Sequence, residues 1–349
     1  MPDSRWTILL LRLGALLLAL VFTLLILLAS GAQPFQVFGD IVNGAIGSTA
    51  RIANVLSAWV PLVLVSAGLL ITFSAGLWNI GIEGQIMLGA IFTTGAIRLF
   101  QDTALPPALV VALAILAGIL GGALWASLAG VLKTFGGVNE IFGGLGLNFV
   151  ATSISLWLIF GPWKRPGVAS MSGTEPFDTA FRLATFPGMR LSPWALLLAV
   201  LAVIFVFFLL RGTYFGLRLK AVGKNPRASY LLGVPTWQHM MLAFILCGAL
   251  GGLAGAMQVT GVYHRLIPSI SSGYGYMGLM VGMLVNYHPF WAAPVSLFFA
   301  ALNIGSIQLP IIHKLDSSLA GVLQGVLVLF VLLAEGVRQR YFKRKAASS

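Results

Sequence analysis

Apolar runs recur along this whole chain, many of them about 17–25 residues long, enough to cross roughly 30 Å of hydrocarbon as helix. This recurrence constrains the fold more than any other feature. Lipid offers no partner for a backbone N–H or C=O, so each crossing segment must satisfy its own. The chain reads as all-α: a polytopic transmembrane helical bundle. Of its 349 residues 58% are hydrophobic and 9% charged, against roughly 25% charged in a soluble domain. No stretch is long and polar enough for a separate soluble domain. We expect one transmembrane domain over 1–349, with loops at 161–192 and about 212–236 as its longest polar segments.

The runs predict about ten spans, with eight or nine also compatible. They fall near 8–29, from Ala58 to a polar break in the seventies, then 83–100, 108–132, 140–160, 193–210, 238–259, 273–286, 290–307 and 318–335. The run at 273–286 is short and Gly-rich, a span or a re-entrant helix. The first run follows Arg5 and Arg12 and ends at Ala29-Ser30-Gly31, like a signal peptide. It is longer than a usual signal core, and we read it as an uncleaved helix. Residues 30–54 are mildly amphipathic and suit a helix on the membrane surface. Gly118/Gly122, Gly248/Gly252 and Gly251/Gly255 have the spacing that lets helices approach closely.

The net charge of +12 is explained by cationic cytoplasmic loops, so no nucleic acid partner is expected. Ten spans place thirteen of the 21 Lys and Arg on the side of both termini: Arg5, Arg12, Lys133, the five of 211–227 and the five of 338–345. Both termini are therefore expected in the cytoplasm. The lone Cys247 makes no disulfide, and His239, His264, His288 and His313 form no His-x-x-x-His pair. We expect no metal and no cofactor.

The exception to the apolar rule lies within the long run from Val55 to Phe100. Asn79, Glu83 and Gln85 stand there with Gly76, Gly81 and Gly84. Lipid penalises such groups unless they face protein, water or a ligand. For Glu83 two readings stand: a buried carboxylate capping a broken helix through backbone N–H groups, or a contact to solute in a pathway. Asn79 and Gln85 carry amides that pair with one another or with nucleobase edges and ribose hydroxyls. Asn139, Glu140 and Asn148 are further polar groups at and within an apolar run, Asn148 suited to a helix–helix hydrogen bond. Trp78, Tyr274 and Tyr276 are candidates to stack on a base, or are core or lipid-facing rings. Whether 76–85 is a tight turn near the cytoplasmic face or a break at mid-membrane stays open.

Within 212–236, Asn225 suits a helix N-cap, Pro226 the first turn and Gly233 the residue past the end. A two-turn helix follows Lys224, mixing Arg227 with Tyr230, Leu231 and Leu232. It fits a groove in a soluble partner, or is a plain loop on the headgroups.

The spacing Gly223-x-Asn225-Pro226-x-Ala228-x-x-x-x-Gly233 resembles the coupling loop of ATP-binding-cassette importer permeases of the branched-chain amino acid and simple-sugar class. Asn79-Ile-Gly-Ile-Glu-Gly-Gln85, after Phe73-x-Ala75-Gly76, resembles the nucleoside-type permeases of that class. Val138-Asn-Glu140 to Asn148, and Gly273-Tyr-Gly-Tyr276 to Asn286-Tyr-His-Pro289, fit as well. The resemblance covers roughly 55–335.

It implies a permease subunit, not an enzyme, in a bacterial cytoplasmic membrane. Its partners would be a cytoplasmic ATPase, a second permease subunit (a paralogue in many such systems), an extracytoplasmic solute-binding protein and membrane lipid. The only Gly-Lys pair, Gly223-Lys224, lacks a Walker A frame. The implied solute is a nucleoside, with a pentose or other simple sugar as the alternative. An ion-coupled carrier is the further reading, but two Glu near helix ends make a poor proton relay. A membrane enzyme would need a nucleophile or metal cluster, and the sequence offers neither.

Overall fold

A computed structural model describes residues 3–29, 31, 33–167, 173–285 and 288–312, with 321, 322, 324–326, 328–331 and 333. Asn286, Tyr287, Glu335, the basic tail and much of the expected last span lie outside the described residues. All regular structure among the described residues is helical. In chain order it comprises α1 (Asp3–Ala29), α2 (Pro34–Ile46), α3 (Thr49–Ser74), α4 (Ile82–Phe100), α5 (Pro107–Thr134), α6 (Glu140–Phe160) and α7 (Pro193–Gly212). There follow α8 (Tyr214–Lys224), α9 (Pro226–Leu231), α10 (Thr236–Met257), α11 (Tyr274–Leu284), α12 (Pro289–Ser306) and α13 (Gln308–Ile312).

Six stretches among the described residues are long and apolar enough to cross a membrane: α3, α5, α6, α7, α10 with its extension to Tyr263, and α12 to Pro310. A seventh is counted if α1 and α2, bent by 105° at their junction, act as one. The sequence counted α4 and α11 as well. α11, at 11 residues, is about 16 Å long at 1.5 Å per residue, half a bilayer.

The chain divides into two compact units, Met1–Val55 with Phe298–Ser349, and Leu56–Leu297. In the first, Pro34 opens α2, where a missing N–H costs nothing. Val37 and Ile41, one turn apart, pack with Leu27 and Leu309. A side chain on Gly44 would lie 2.6 Å from Gly305 O, so the glycine lets the two helices meet. Expected as a helix on the membrane surface, α2 therefore has a face committed to protein, while Phe35, Val42 and Ile46 remain exposed.

In the second unit, α5 is packed inside out relative to a helix of a soluble protein. In α5 the buried residues are small or β-branched: Val111, Ala114, Gly118, Gly122, Ala126 and Ala129. Leu116, Leu120, Leu124 and Leu128 point outward. Between helices in lipid the gain comes from close van der Waals packing, which small residues permit. Here α4, α5 and α10 converge. A Cβ on Gly122 would lie 2.6 Å from Gly252 Cα and would overlap Gly248 O, and one on Gly89 would overlap Gly252 Cα. The glycine spacings read from the sequence thus mark one three-helix contact, with α5 antiparallel to the other two.

Beyond Met257 the helix widens into a π turn, Gln258–Tyr263, ending at His264 with φ +56°. A polar segment docks on this end. Thr174 N donates to Leu266 O (2.9 Å), Phe177 N to His264 O (2.8 Å) and Leu183 N to Thr260 O (3.0 Å).

Candidate functional site

Between the end of α3 at Ser74 and the start of α4 at Ile82, the backbone is not helical. Gly76, at φ +73°, reverses the chain. Leu77 N returns to Thr72 O (2.9 Å) and ties the turn to α3. The chain then runs inward. Asn79 Nδ2 reaches Cys247 Sγ at 3.2 Å. From Thr236 to Cys247, α10 has risen roughly 16 Å. The polar residues after the reversal thus meet α10 about three turns from its start.

Irregular backbone at such depth persists only if buried polar groups are satisfied. Three side chains do this. Asn79 and Gln85, both buried, form a reciprocal amide pair: Gln85 Nε2 donates to Asn79 Oδ1 (2.9 Å) and Asn79 Nδ2 to Gln85 Oε1 (3.1 Å). Asn148 of α6 spans the break, donating to Ile80 O (3.0 Å) and accepting from Gly84 N (2.8 Å). The residue capping α4 is Gly81, which has no side chain to offer. Asn148 supplies the missing acceptor from another helix.

Glu83 repeats the arrangement one helix further on. The N-cap of α11 is Gly273, again without a side-chain acceptor. Glu83 Oε1 accepts from Gly275 N (3.0 Å) and Tyr276 N (3.2 Å). The Ser271 side chain lies beside the same carboxylate. α4 and α11 thus begin at one place and run apart. Each start carries partial positive charge on its free N–H groups, and the Glu83 carboxylate lies between them. Of the two readings of Glu83, the geometry displays the cap.

The other candidates are distributed as follows. Asn139 is exposed and caps its own helix, accepting from Ile141 N at 2.9 Å. Glu140 pairs with Lys133 Nζ at 2.6 Å, joining the end of α5 to the start of α6. Trp78 is half-buried with its ring edge-on to Phe73, centroids 5.3 Å apart. Tyr274 is buried, whereas Tyr276 is 45% exposed. Asn79, Glu83, Gln85, Asn148 and Tyr276 are brought together; Asn139 and Glu140 stand at the entry to α6. No group of His, Cys, Asp and Glu that could hold a metal ion occurs among the described residues.

The expected capped helix is present as α9. Asn225 Oδ1 accepts from Ala228 N (3.0 Å), Pro226 opens the first turn, and Gly233 takes φ +80° just past the end. Lys224 and Arg227 are exposed, as are Tyr230 (66%), Leu231 (80%) and Leu232 (84%). Immediately before it, Gly223 packs on the 74–76 turn backbone to backbone. A Cβ there would overlap Ser74 O and lie 2.9 Å from Gly76 N.

Three contributors were not singled out for this site from the sequence. In the sequence Cys247 bears only on metal and disulfide chemistry; in the fold it is the sulfur beside Asn79. Ser271 carried no signal in a run of serines. Gly223 was noted as part of a motif, not for what it touches.

Residues 51–332 match the family model described as branched-chain amino acid transport system / permease component. The chain is 28% identical over 328 residues to a glucose ABC transporter permease protein of Haloferax volcanii, covering 91% of this chain and 84% of that one. It is 25% identical over 340 residues to a guanosine ABC transporter permease protein of Bacillus subtilis, covering 96% of each. It is 27% identical over 303 residues to a nucleoside ABC transporter permease protein of Lactococcus lactis subsp. cremoris, covering 83% and 82%.

Proposed function

Because this chain belongs to the branched-chain amino acid transport system / permease component family, we propose that it is the membrane subunit of an ATP-binding-cassette importer and carries nucleosides across the cytoplasmic membrane of a bacterium. The observation that carries the reading is the interior polar break, where two helix starts converge on Glu83 beside Asn79, Gln85 and Asn148. Transport proteins place such discontinuous helices where the solute passes. The relatives named for guanosine and nucleosides, matched over most of their lengths, supply the solute class.

In this scheme α9 meets a cytoplasmic ATPase, a second permease subunit completes the pathway, and an extracytoplasmic binding protein delivers the solute. Tyr276, the exposed ring beside the break, stacks on the base. Counting α4 and α11 with the longer helices, and the last run of the sequence, gives about ten crossing or half-crossing segments with both termini cytoplasmic. ATPase closure displaces α9 and changes the side to which the break is open.

A simple sugar is the second reading, favoured by the relative named for glucose. The test is uptake into vesicles bearing the complete complex, with labelled guanosine, uridine, ribose and glucose offered in competition. Nucleoside uptake that needs ATP and is indifferent to excess sugar supports the proposal. Uptake of glucose or ribose alone moves the solute to sugars. Transport by this chain without an ATPase, under a proton or sodium gradient, overturns the class.

A further inference from the structure

The glycine at 223 stands where two functional segments touch, and nothing but backbone lies between them. On one side is the end of α8, leading within two residues to Asn225. Asn225 is fixed at both ends: its N–H donates to Ala221 O (3.1 Å) and its Oδ1 accepts from Ala228 N (3.0 Å). α9 and the end of α8 are therefore one stiff piece. On the other side are Ser74, Ala75 and Gly76, leading within three residues to Asn79. That segment is fixed as well, by Leu77 N to Thr72 O and by the Asn79–Gln85 amide pair.

The contact is reciprocal. A Cβ on Gly223 would overlap Ser74 O and lie 2.9 Å from Ala75 C and Gly76 N; one on Gly76 would lie 2.9 Å from Gly223 O and 3.2 Å from Gly223 Cα. What it would meet on both sides is backbone, which cannot rotate away as the tip of a side chain can. Gly76 is also held at φ +73°, a conformation costly to any residue with a Cβ. Close-packed backbone is poorly compressible and passes on a displacement that flexible side chains would absorb.

We propose that Gly223 against Gly76 is the joint through which movement of α9 reaches the polar break, and that Gly223 is a positioning residue for transport. The joint keeps its geometry while both pieces move together: a push on α9 displaces 74–79, and with it the start of α4 and, through Glu83, the start of α11. This rests on the reading of the chain as an ATP-driven permease.

The test uses the complete complex in lipid vesicles with ATP and a mixture of labelled guanosine and uridine. Gly223→Ala is compared with Gly212→Ala, a nearby helical glycine whose Cβ would meet only Phe208 at 3.8 Å. Gly223→Ala should cut solute carried per ATP hydrolysed at least tenfold while hydrolysis continues; Gly212→Ala should leave the ratio within twofold of the unaltered complex. Equal ratios for the two variants overturn the joint. A second measurement needs no substitution. In the unaltered complex, a non-hydrolysable ATP analogue should change hydrogen exchange at 74–79 together with 223–232. Change confined to 223–232 overturns the joint also if Gly223→Ala fails to assemble. Transport by the unaltered chain without its ATPase would instead overturn the functional reading.

Discussion

Glu83 and Tyr276 lie 193 positions apart, and the carboxylate of the first accepts the backbone N–H of the second at 3.2 Å. The relationship is that of a helix cap to its helix, except that the cap belongs to a different helix. Asn148 stands in the same relation to Gly84. The result is a relay: α6 caps α4, and α4 caps α11. Each capped helix opens after a glycine, so neither can cap itself.

Removing the Glu83 carboxylate should destabilise the chain through α11. Glu83→Ala leaves the buried Gly275 N–H and the part-buried Tyr276 N–H unpaired, about 1–3 kcal/mol for the buried group and less for the other. Glu83→Gln retains an acceptor oxygen and loses chiefly the charge–dipole attraction, about 1 kcal/mol or less. Thermal unfolding in detergent should therefore rank wild type, Gln, Ala, with KM for solute little changed in Glu83→Gln. A large rise in KM at unchanged melting temperature would make Glu83 a solute ligand instead.

Asn148 works through both ends of one amide, so no other small side chain replaces it. Asn148→Leu strands Ile80 O and Gly84 N, again at about 1–3 kcal/mol each. Asn148→Asp keeps an acceptor for Gly84 N but turns an oxygen toward the Ile80 carbonyl, and should be no better. Melting temperatures of the two variants check this. Full stability of either would mean that the break is held elsewhere.

How much of this was legible in the sequence depended on the distance between partners. α9 could be read outright, because Asn225, Pro226 and Gly233 act within their own turn. The three-helix contact could be read as spacing, since Gly118/Gly122 and Gly248/Gly252 repeat at one helical turn, although which helices meet could not. Asn79, Glu83 and Gln85 were visible as polar outliers. Their partners were not: Asn79 pairs across a non-helical turn with Gln85, and Glu83 bonds backbone atoms, which carry no sequence signal. A backbone contact such as Gly223 on Gly76 leaves only two glycines among the 41 of the chain.

The inside-out packing predicts opposite sensitivities on two helices that touch. At Gly252 a side chain would overlap Gly118 O, so Gly252→Leu must force α5 and α10 apart. Overpacking of this kind costs about 1–3 kcal/mol, occasionally more, and two leucine branches placed against backbone belong at the upper end. Leu124, 57% exposed, should tolerate Ala within about 0.5 kcal/mol. The amount of folded protein extracted from membranes, with its melting temperature, separates the two. Equal tolerance would contradict the close approach of these helices.

The segment docked on the end of α10 should loosen in acid. His264 carries one of its anchoring carbonyls, bonded by Phe177 N. Its ring Nδ1 lies 3.2 Å from Thr260 O, the position of a neutral imidazole donating to a carbonyl. Burial first, then the charge of Arg182 with Arg190 behind it, holds the imidazole below its ordinary pKa of 6.5, while the Thr260 carbonyl pulls the other way. The undocked imidazole therefore takes up its proton first as pH falls. Docking is at full strength above about pH 6.5 and weakens below it, until the docked form is protonated too. Hydrogen exchange at 173–185, corrected for its intrinsic pH dependence, should be faster at pH 5.5 than at pH 7.5. His264→Asn, which tolerates the left-handed backbone found here and does not titrate, should remove most of that difference. A pH response that survives the substitution would place the titrating group elsewhere.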